Sequence, residues 1–403
     1  MKIGIIREGK QPPDNRVPFS PEQCTRITEK FPVVQVFVQP SKIRCFSDHE
    51  YREAGFSVQE DMSTCDVLMG VKEVPVQDLI PGKTYFFFSH TIKKQSHNRK
   101  LLQEVVRKSI RLIDYELLTG KDGVRIIGFG RFAGLVGAYN SLKAFGKRNL
   151  LFDLKPAHQC DDLQELKNIA SGLLLPPFKI AVTGGGRVAG GVLEMLREIQ
   201  IRQVSVEEYL RNNSFDEPVF VQLNPDDYNL HWDNKPFDLL HFFNNPSEYK
   251  GNFGRFCSQT DVLISAAFWD PKSPVLFTSE EMKKEDFRIR VIADITCDIE
   301  GSIPSTRKAN TIANPVYDYN PATSELEQAY SSEKNITVMA VDNLPSELPK
   351  DASLDFGNNL IGKVLPHLLG DDKEGIIKRA TITENGNLTE PFMYLADYLS
   401  EEK

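Results

Sequence analysis

Two cations in this chain each stand just past an apolar run. Val67-Leu68-Met69-Gly70-Val71 leads to Lys72, and Tyr85-Phe86-Phe87-Phe88-Ser89 leads to His90, eighteen positions later. Short apolar runs rich in Val, Tyr and Phe read as strands. If those strands are parallel neighbours, Lys72 and His90 emerge at one sheet edge, within reach of one substrate, and partial burial would draw the lysine toward a range useful for proton transfer. Taken singly, each is more simply a solvated strand end or a satisfied loop residue. The matched positions favour a general acid and base. Arg16, in Asp14-Asn15-Arg16-Val17-Pro18, could clamp a carboxylate with its planar fork or pair with Asp14 at the surface, and chemistry alone weighs the two equally. Asp114-Tyr115-Glu116 and Asp342-Asn343-Leu344-Pro345 also follow apolar runs. Their carboxylates could bind an ammonium group or hold Lys72 and His90 in place.

The strongest local pattern is Ile180-Ala181-Val182-Thr183-Gly184-Gly185-Gly186-Arg187-Val188-Ala189-Gly190-Gly191, ahead of a helix-period stretch. It fits G-x-G-x-x-A between a strand and a helix. Gly184 allows the tight turn, Gly186 lets a pyrophosphate approach the backbone, and Ala189 lets helix pack on strand, while the N–H groups from Arg187 and Val188 face the anion. Glu207, twenty-three positions past Gly184, is expected to close a second strand over Gln203 to Val206 and accept hydrogen bonds from an adenosine ribose. A ligand-free glycine turn is the plainer alternative, but the combined context favours a dinucleotide. Glu207 would repel a 2′-phosphate whereas Arg187 or Arg202 could attract one, so NAD and NADP both stay open.

The elements that must position these groups alternate. Strand-like runs at Ile3 to Arg7, Val33 to Val38, Val67 to Val71, Tyr85 to Phe88 and Arg111 to Ile113 are separated by helix-forming stretches such as Pro21 to Lys30 and Gln95 to Lys108, the pattern of a largely parallel sheet. A helical repeat over Ala133 to Phe145 precedes a fresh strand at Phe178 to Val182, and Asp261 to Ser265 and Arg290 to Asp294 are apolar runs with polar ends, as line ligand crevices. Thr337 to Val341 reads as a strand and Ala352 to Leu369 as an amphipathic helix returning to the first domain. The expected division is therefore 1–140 plus 337–403 as a discontinuous catalytic domain and 141–336 as a dinucleotide-binding domain.

Composition excludes several classes. At 403 residues the chain exceeds one ordinary core. Its net charge of -8 disfavours nucleic acid and anionic lipid, and no apolar run approaches the roughly 20 residues that span a bilayer. The six cysteines lie far apart and no export signal is visible, which suits a reducing cytoplasm. His49, His97, His158, His231, His241 and His367 are scattered without metal-ligand spacing, so no metal is expected.

The strings Asn15-Arg16-Val17-Pro18, Gly70-Val71-Lys72, Ser89-His90-Thr91-Ile92-Lys93, Asp114-Tyr115-Glu116 and Asp342-Asn343-Leu344-Pro345 together make the chain resemble the lysine-2-oxoglutarate reductase family (saccharopine dehydrogenase, lysine-forming), itself related to alanine dehydrogenase and transhydrogenase. The resemblance implies two Rossmann-like, doubly wound α/β domains with a cleft between them and the cofactor on the second. It implies an NAD(P)-dependent oxidoreductase acting on a CH–NH bond, condensing lysine with 2-oxoglutarate. The family's catalytic pair falls on Lys72 and His90, its carboxylate-binding arginine on Arg16, and further pocket groups on Lys93, Glu116 and Asp342. In this reading His90 takes the amine proton, Lys72 serves the carbinolamine oxygen, and domain closure excludes water. Relatives in animals and plants carry a second, fused dehydrogenase, and 403 residues hold only the reductase half. An alanine dehydrogenase-like or opine-type enzyme and a catalytically silent nucleotide-binding protein are the alternatives.

Overall fold

The computed structural model describes residues 1–400. The chain divides into two compact units, one formed by Met1–Phe129 with the chain from Pro349 onward, the other by Gly130–Leu348. The boundaries expected at 140/141 and 336/337 differ. The first falls inside the helix Gly130–Arg148, and the second would sever the strand Ile336–Met339 from the sheet of the second unit, where it pairs in parallel with Val291–Asp294.

The first unit is built on an eight-stranded sheet. From one edge run Ser57–Val58, Gln35–Val38, Lys2–Ile5, Val67–Met69, Thr84–Phe87 and Arg111–Asp114, all parallel, followed by the antiparallel pair Thr381–Glu384 and Asn387–Leu388. Successive side chains of a strand point to opposite faces, so each strand feeds two cores. Val67 and Met69 join Ile3, Ile5, Val36 and Val38 against Cys24 and Ile27 of the helix Pro21–Lys30 and Phe356 and Leu360 of the helix Pro349–Lys363. Leu68, Tyr85, Phe87 and Leu112 turn the other way, onto Leu101, Leu102 and Val105 of the helix Arg99–Arg107. Covering on both faces makes near-continuous apolar strands stable, as doubly wound sheets require. Ser20 caps the Pro21–Lys30 helix, whose Gln23 closes the capping box and reaches Leu354 and Asn358 on the returning helix. The helix expected over Ala352 to Leu369 is broken at Val364, because Pro366 offers no N–H to continue the ladder; Leu365–Leu369 starts a separate turn.

The second unit also has eight strands. The parallel set runs Arg202–Gln203, Val219–Leu223, Lys179–Thr183, Val262–Ser265, Val291–Asp294 and Ile336–Met339, with Val316–Asn320 and Glu325–Glu327 antiparallel at the far edge. The strand beside Lys179–Thr183 is thus the third of this unit in sequence, not the second. Behind the sheet the helices Gly130–Arg148 and Arg187–Glu198 cross so closely that a Cβ on Gly191 would lie 2.0 Å from the Arg131 carbonyl oxygen, and one on Gly134 2.0 Å from that of Val188. No described helix is long and apolar enough to cross a membrane.

Candidate active site

In the first unit the strands Val67–Met69 and Thr84–Phe87 are parallel neighbours, with Met69 opposite Phe86. Lys72 and His90 each lie three residues beyond those strand ends, on the same edge of the sheet. A carboxylate not singled out from sequence joins this edge. Glu73 accepts a 2.6 Å hydrogen bond from His90 Nδ1 and ion-pairs with Lys10 Nζ at 2.8 Å. Burial works to raise the Glu73 carboxyl, but the hydrogen bonds from His90 and Lys10 outweigh it and hold the group at about 2. A carboxylate fixed at Nδ1 keeps the proton there and leaves Nε2 as the basic nitrogen. The signal in the sequence was the Lys72-Glu73 dipeptide itself, which reads equally well as an ordinary solvated pair.

The backbone around Lys72 is also held. Glu8 accepts from the N–H groups of Val71 at 2.6 Å and Lys72 at 2.8 Å. Burial pushes Glu8 up to about 8, against those two bonds, which favour its charged form. On the next strand, Asp114 accepts from the N–H of Ser89 at 3.0 Å and of Glu116 at 2.8 Å, tying the His90 loop to the strand Arg111–Asp114. His90 itself takes a left-handed conformation, φ 52°. Glu116 pairs with Arg125 at 2.8 Å and faces Lys93 Nζ at 3.9 Å, so these two expected pocket groups are adjacent.

Arg16 is neither on the surface nor an open fork. It is 3 % exposed, held by Asp14 through Nε at 3.0 Å and an Nη at 2.6 Å, with its guanidinium 4.1 Å from the centre of the Phe129 ring. The expected pairing with Asp14 is therefore present but buried, and the bidentate edge is already taken. Asp342 lies in the second unit, exposed, on the connection that leaves the strand Ile336–Met339.

The second unit carries the glycine turn. Gly184 has φ 102°, and a Cβ there would stand 3.0 Å from the carbonyl oxygen of Ala266, so only glycine fits. Its N–H donates to the Leu223 carbonyl at 2.8 Å, and Gln222 Nε2 donates to the Gly184 carbonyl at 3.0 Å. Gly186 caps the twelve-residue helix Arg187–Glu198 and has nothing within 4 Å of where a Cβ would be. That space, in front of the first N–H groups from Arg187 and Val188, suits a pyrophosphate. Ala189 is buried under the strand, the packing role expected of a small residue.

Glu207 does not belong to this site. The strand expected to end there stops at Gln203, Ser205 caps a new helix Val206–Arg211, and Glu207 is an exposed first-turn residue 3.8 Å from Arg211. The edge strand before it is also separated from Lys179–Thr183 by Val219–Leu223. The polar group beside the glycine turn is instead Asn224, whose Oδ1 stands 3.0 Å from where a Cβ on Gly185 would be, with Asp226 and Asp227 in the turn behind it. Spacing alone could not find Asn224, because a two-residue strand intervenes in sequence and docks on the outside. Arg202 is engaged by Glu208 and Glu217 at that outer edge.

Comparison with known proteins matches residues 4–136 to the alanine dehydrogenase/PNT N-terminal domain family. The whole chain is 28% identical over 437 residues to alpha-aminoadipic semialdehyde synthase of Arabidopsis thaliana, covering 98% of this chain and 41% of the relative. It is 29% identical to the mitochondrial enzyme of that name in Mus musculus, covering 98% and 47%. It is 22% identical to saccharopine dehydrogenase [NAD(+), L-lysine-forming] of Neurospora crassa, covering 87% of each. The chain spans less than half the length of the first two relatives. An L-alanine dehydrogenase structure superposes with TM-score 0.66 at 16% identity over 99% of this chain and 100% of that one, and a transhydrogenase from Sinorhizobium meliloti with TM-score 0.62 at 15% identity over 96% and 100%. The resemblance read from the sequence is borne out, and so is the Rossmann-like α/β class of both units. The strands leading to Lys72, His90 and Glu116 all fall within the matched residues 4–136.

Proposed function

We propose that this chain is an NAD-dependent oxidoreductase acting on a CH–NH bond, a lysine-forming saccharopine dehydrogenase that joins L-lysine to 2-oxoglutarate. The observation that carries this reading is the hydrogen-bonded chain Lys10–Glu73–His90 beside Lys72 at one sheet edge, in a sequence related along 98% of its length to alpha-aminoadipic semialdehyde synthases. Reductive condensation demands that sort of edge. The amine must lose a proton before it attacks the ketone, the carbinolamine oxygen must gain one to leave as water, and the imine carbon must then be reduced. His90 Nε2 accepts the amine proton while Glu73 stabilises the imidazolium that results. Lys72 gives and recovers the proton at the carbinolamine oxygen. Lys93 favours a partner with a second carboxylate, and Glu116 suits an ammonium group of the amino acid. A bound nicotinamide supplies the hydride. Gly184, Gly186, Arg187, Val188 and Ala189 would hold it. Asn224 followed by Asp226 and Asp227 puts neutral and negative groups beside the glycine turn, which would disfavour a 2′-phosphate and supports NAD over NADP.

The test is a substrate-pair screen with each reduced nicotinamide, followed by its absorbance. Oxidation of NADH on adding lysine with 2-oxoglutarate is expected; response only to pyruvate with ammonia would instead mark an alanine dehydrogenase-like enzyme, and response to no pair a silent binding protein. Lys72→Ala and His90→Ala should each slow turnover by about two to four powers of ten. Unchanged rates in both would remove them from the reaction.

A further inference from the structure

The segment from Asn229 to Gly251 contributes nothing to the chemistry above. It forms the antiparallel pair Asn229–His231 and Tyr249–Gly251 around the short helix Leu239–Asn244. Its own core is small, chiefly Phe237, Phe242 and Tyr249 packed ring on ring, while Leu239, Leu240 and Phe243 are exposed. An isolated two-stranded hairpin with so little behind it is marginal in water. Within it three ligand-type side chains converge, His231, His241 and Glu248, each offering a ligand atom within 4.8 Å of the other two. Glu248 Oε2 is 3.5 Å from His231 Nε2 and 3.8 Å from His241 Nε2. Ligands around a tetrahedral zinc ion stand about 3.4 Å apart, given bonds of about 2.1 Å.

The second observation concerns His231. Its ring is 4 % exposed, yet Nε2, aimed at this cluster, has no hydrogen-bond partner. Buried polar nitrogens are almost always satisfied. His241 is already in the tautomer a metal needs, because Tyr249 Oη donates to the Asp238 carbonyl and so accepts the proton on His241 Nδ1, leaving the Nε2 lone pair facing the cluster. His231 is not: its Nδ1 accepts from the N–H of Asp233 at 3.0 Å, which puts the ring proton on Nε2.

We propose that His231, His241 and Glu248 form a structural Zn²⁺ site that rivets this hairpin, with the fourth position open to solvent beside the exposed Glu248. Binding moves the His231 proton from Nε2 to Nδ1. An N–H at Nδ1 can no longer face the Asp233 N–H, so the turn carrying Trp232 and Asp233 shifts, and the Asp233 carboxylate, now paired with Lys235 at 3.0 Å, is able to take the new donor. Scattered sequence spacing hid the cluster, since His231 and His241 are ten residues apart and meet only through the hairpin.

The experiment titrates zinc into tag-free, chelator-stripped full-length protein, following bound metal and tryptophan fluorescence. One zinc per chain with micromolar or tighter affinity is expected, with a fluorescence change that Trp232→Phe removes without weakening binding. His241→Gln and Glu248→Gln, both at positions open to solvent, should each weaken zinc at least tenfold while NADH binding stays as in the parent. No stoichiometric zinc at micromolar concentrations would overturn the proposal. So would parent-like affinity in both variants, which would place the metal on the free thiols.

Discussion

Glu8 shows how much of a site is carried by a residue that never meets the reacting atoms. Its carboxyl fixes the backbone at Val71 and Lys72, and burial raises it to about 8. A carboxyl whose folded value lies above its unfolded one holds its proton more tightly when folded, so its contribution is complete below about 4.5 and is lost as pH climbs through 8. Stability measured by denaturant titration should therefore fall across that window, and in Glu8→Gln the fall should flatten by at least about 1 kcal/mol whatever the variant's absolute stability. A slope identical to the parent would mean Glu8 is ionised throughout. Glu73 has the opposite sign, held near 2, so its contribution disappears only as pH drops from about 4.5 toward 2. Both carboxylates were in plain view in the sequence, but only burial and partners distinguish them from the chain's other acidic residues, and neither is visible without the fold. Arg16 is the same lesson reversed: its surroundings, not its type, decide that it lies buried against Asp14 and Phe129.

At the scale of elements, the parallel strands were legible because both their faces are apolar, as at Val67–Met69 and Val291–Asp294. Among the strands not anticipated, Thr381–Glu384 is four residues long and carries Thr381 and Thr383 on one face. Thr381–Glu384 pairs antiparallel to Arg111–Asp114 through Thr383, whose hydroxyl bonds Leu112 and Ile110, a partnership no local periodicity announces. Glu207 was misplaced for a related reason: Ser205 converts the expected strand end into a helix cap. Close helix crossings are similarly silent, since glycine in a helix reads as a weakness when it is a spacer. Gly191→Ala should test this directly. The added carbon would meet the Arg131 backbone at 2.0 Å, where nothing flexible can yield, so the helix pair must separate. A loss of at least about 3 kcal/mol in chemical denaturation is expected, beyond the usual range of single substitutions; by contrast Gly190→Ala, in open space one position earlier, should be neutral or slightly stabilising.

For the molecule as a whole, each unit having its own cores means that a ligand of one unit need not stiffen the other. Unit 1 is sewn from both ends of the chain, and its sheet is completed only when residues beyond 380 pair with Arg111–Asp114. Unit 2 is continuous and holds the glycine turn. A ligand that binds only the folded form stabilises it by an amount set by its concentration, about 2.7 kcal/mol at a hundred times its dissociation constant. Adding NADH alone at that level should slow hydrogen exchange in Lys179–Thr183, Val219–Leu223 and the first turn of Arg187–Glu198. Lys2–Ile5, Val67–Met69 and Thr381–Glu384 should keep their rates within about twofold, because sub-global openings follow the cooperative unit to which each strand belongs. Equal slowing in both sets would mean that the two units unfold as one. Slowing in the first set alone would assign the nicotinamide to the second unit independently of any turnover assay, and so separate cofactor binding from the acid–base edge that Lys72 and His90 are proposed to provide.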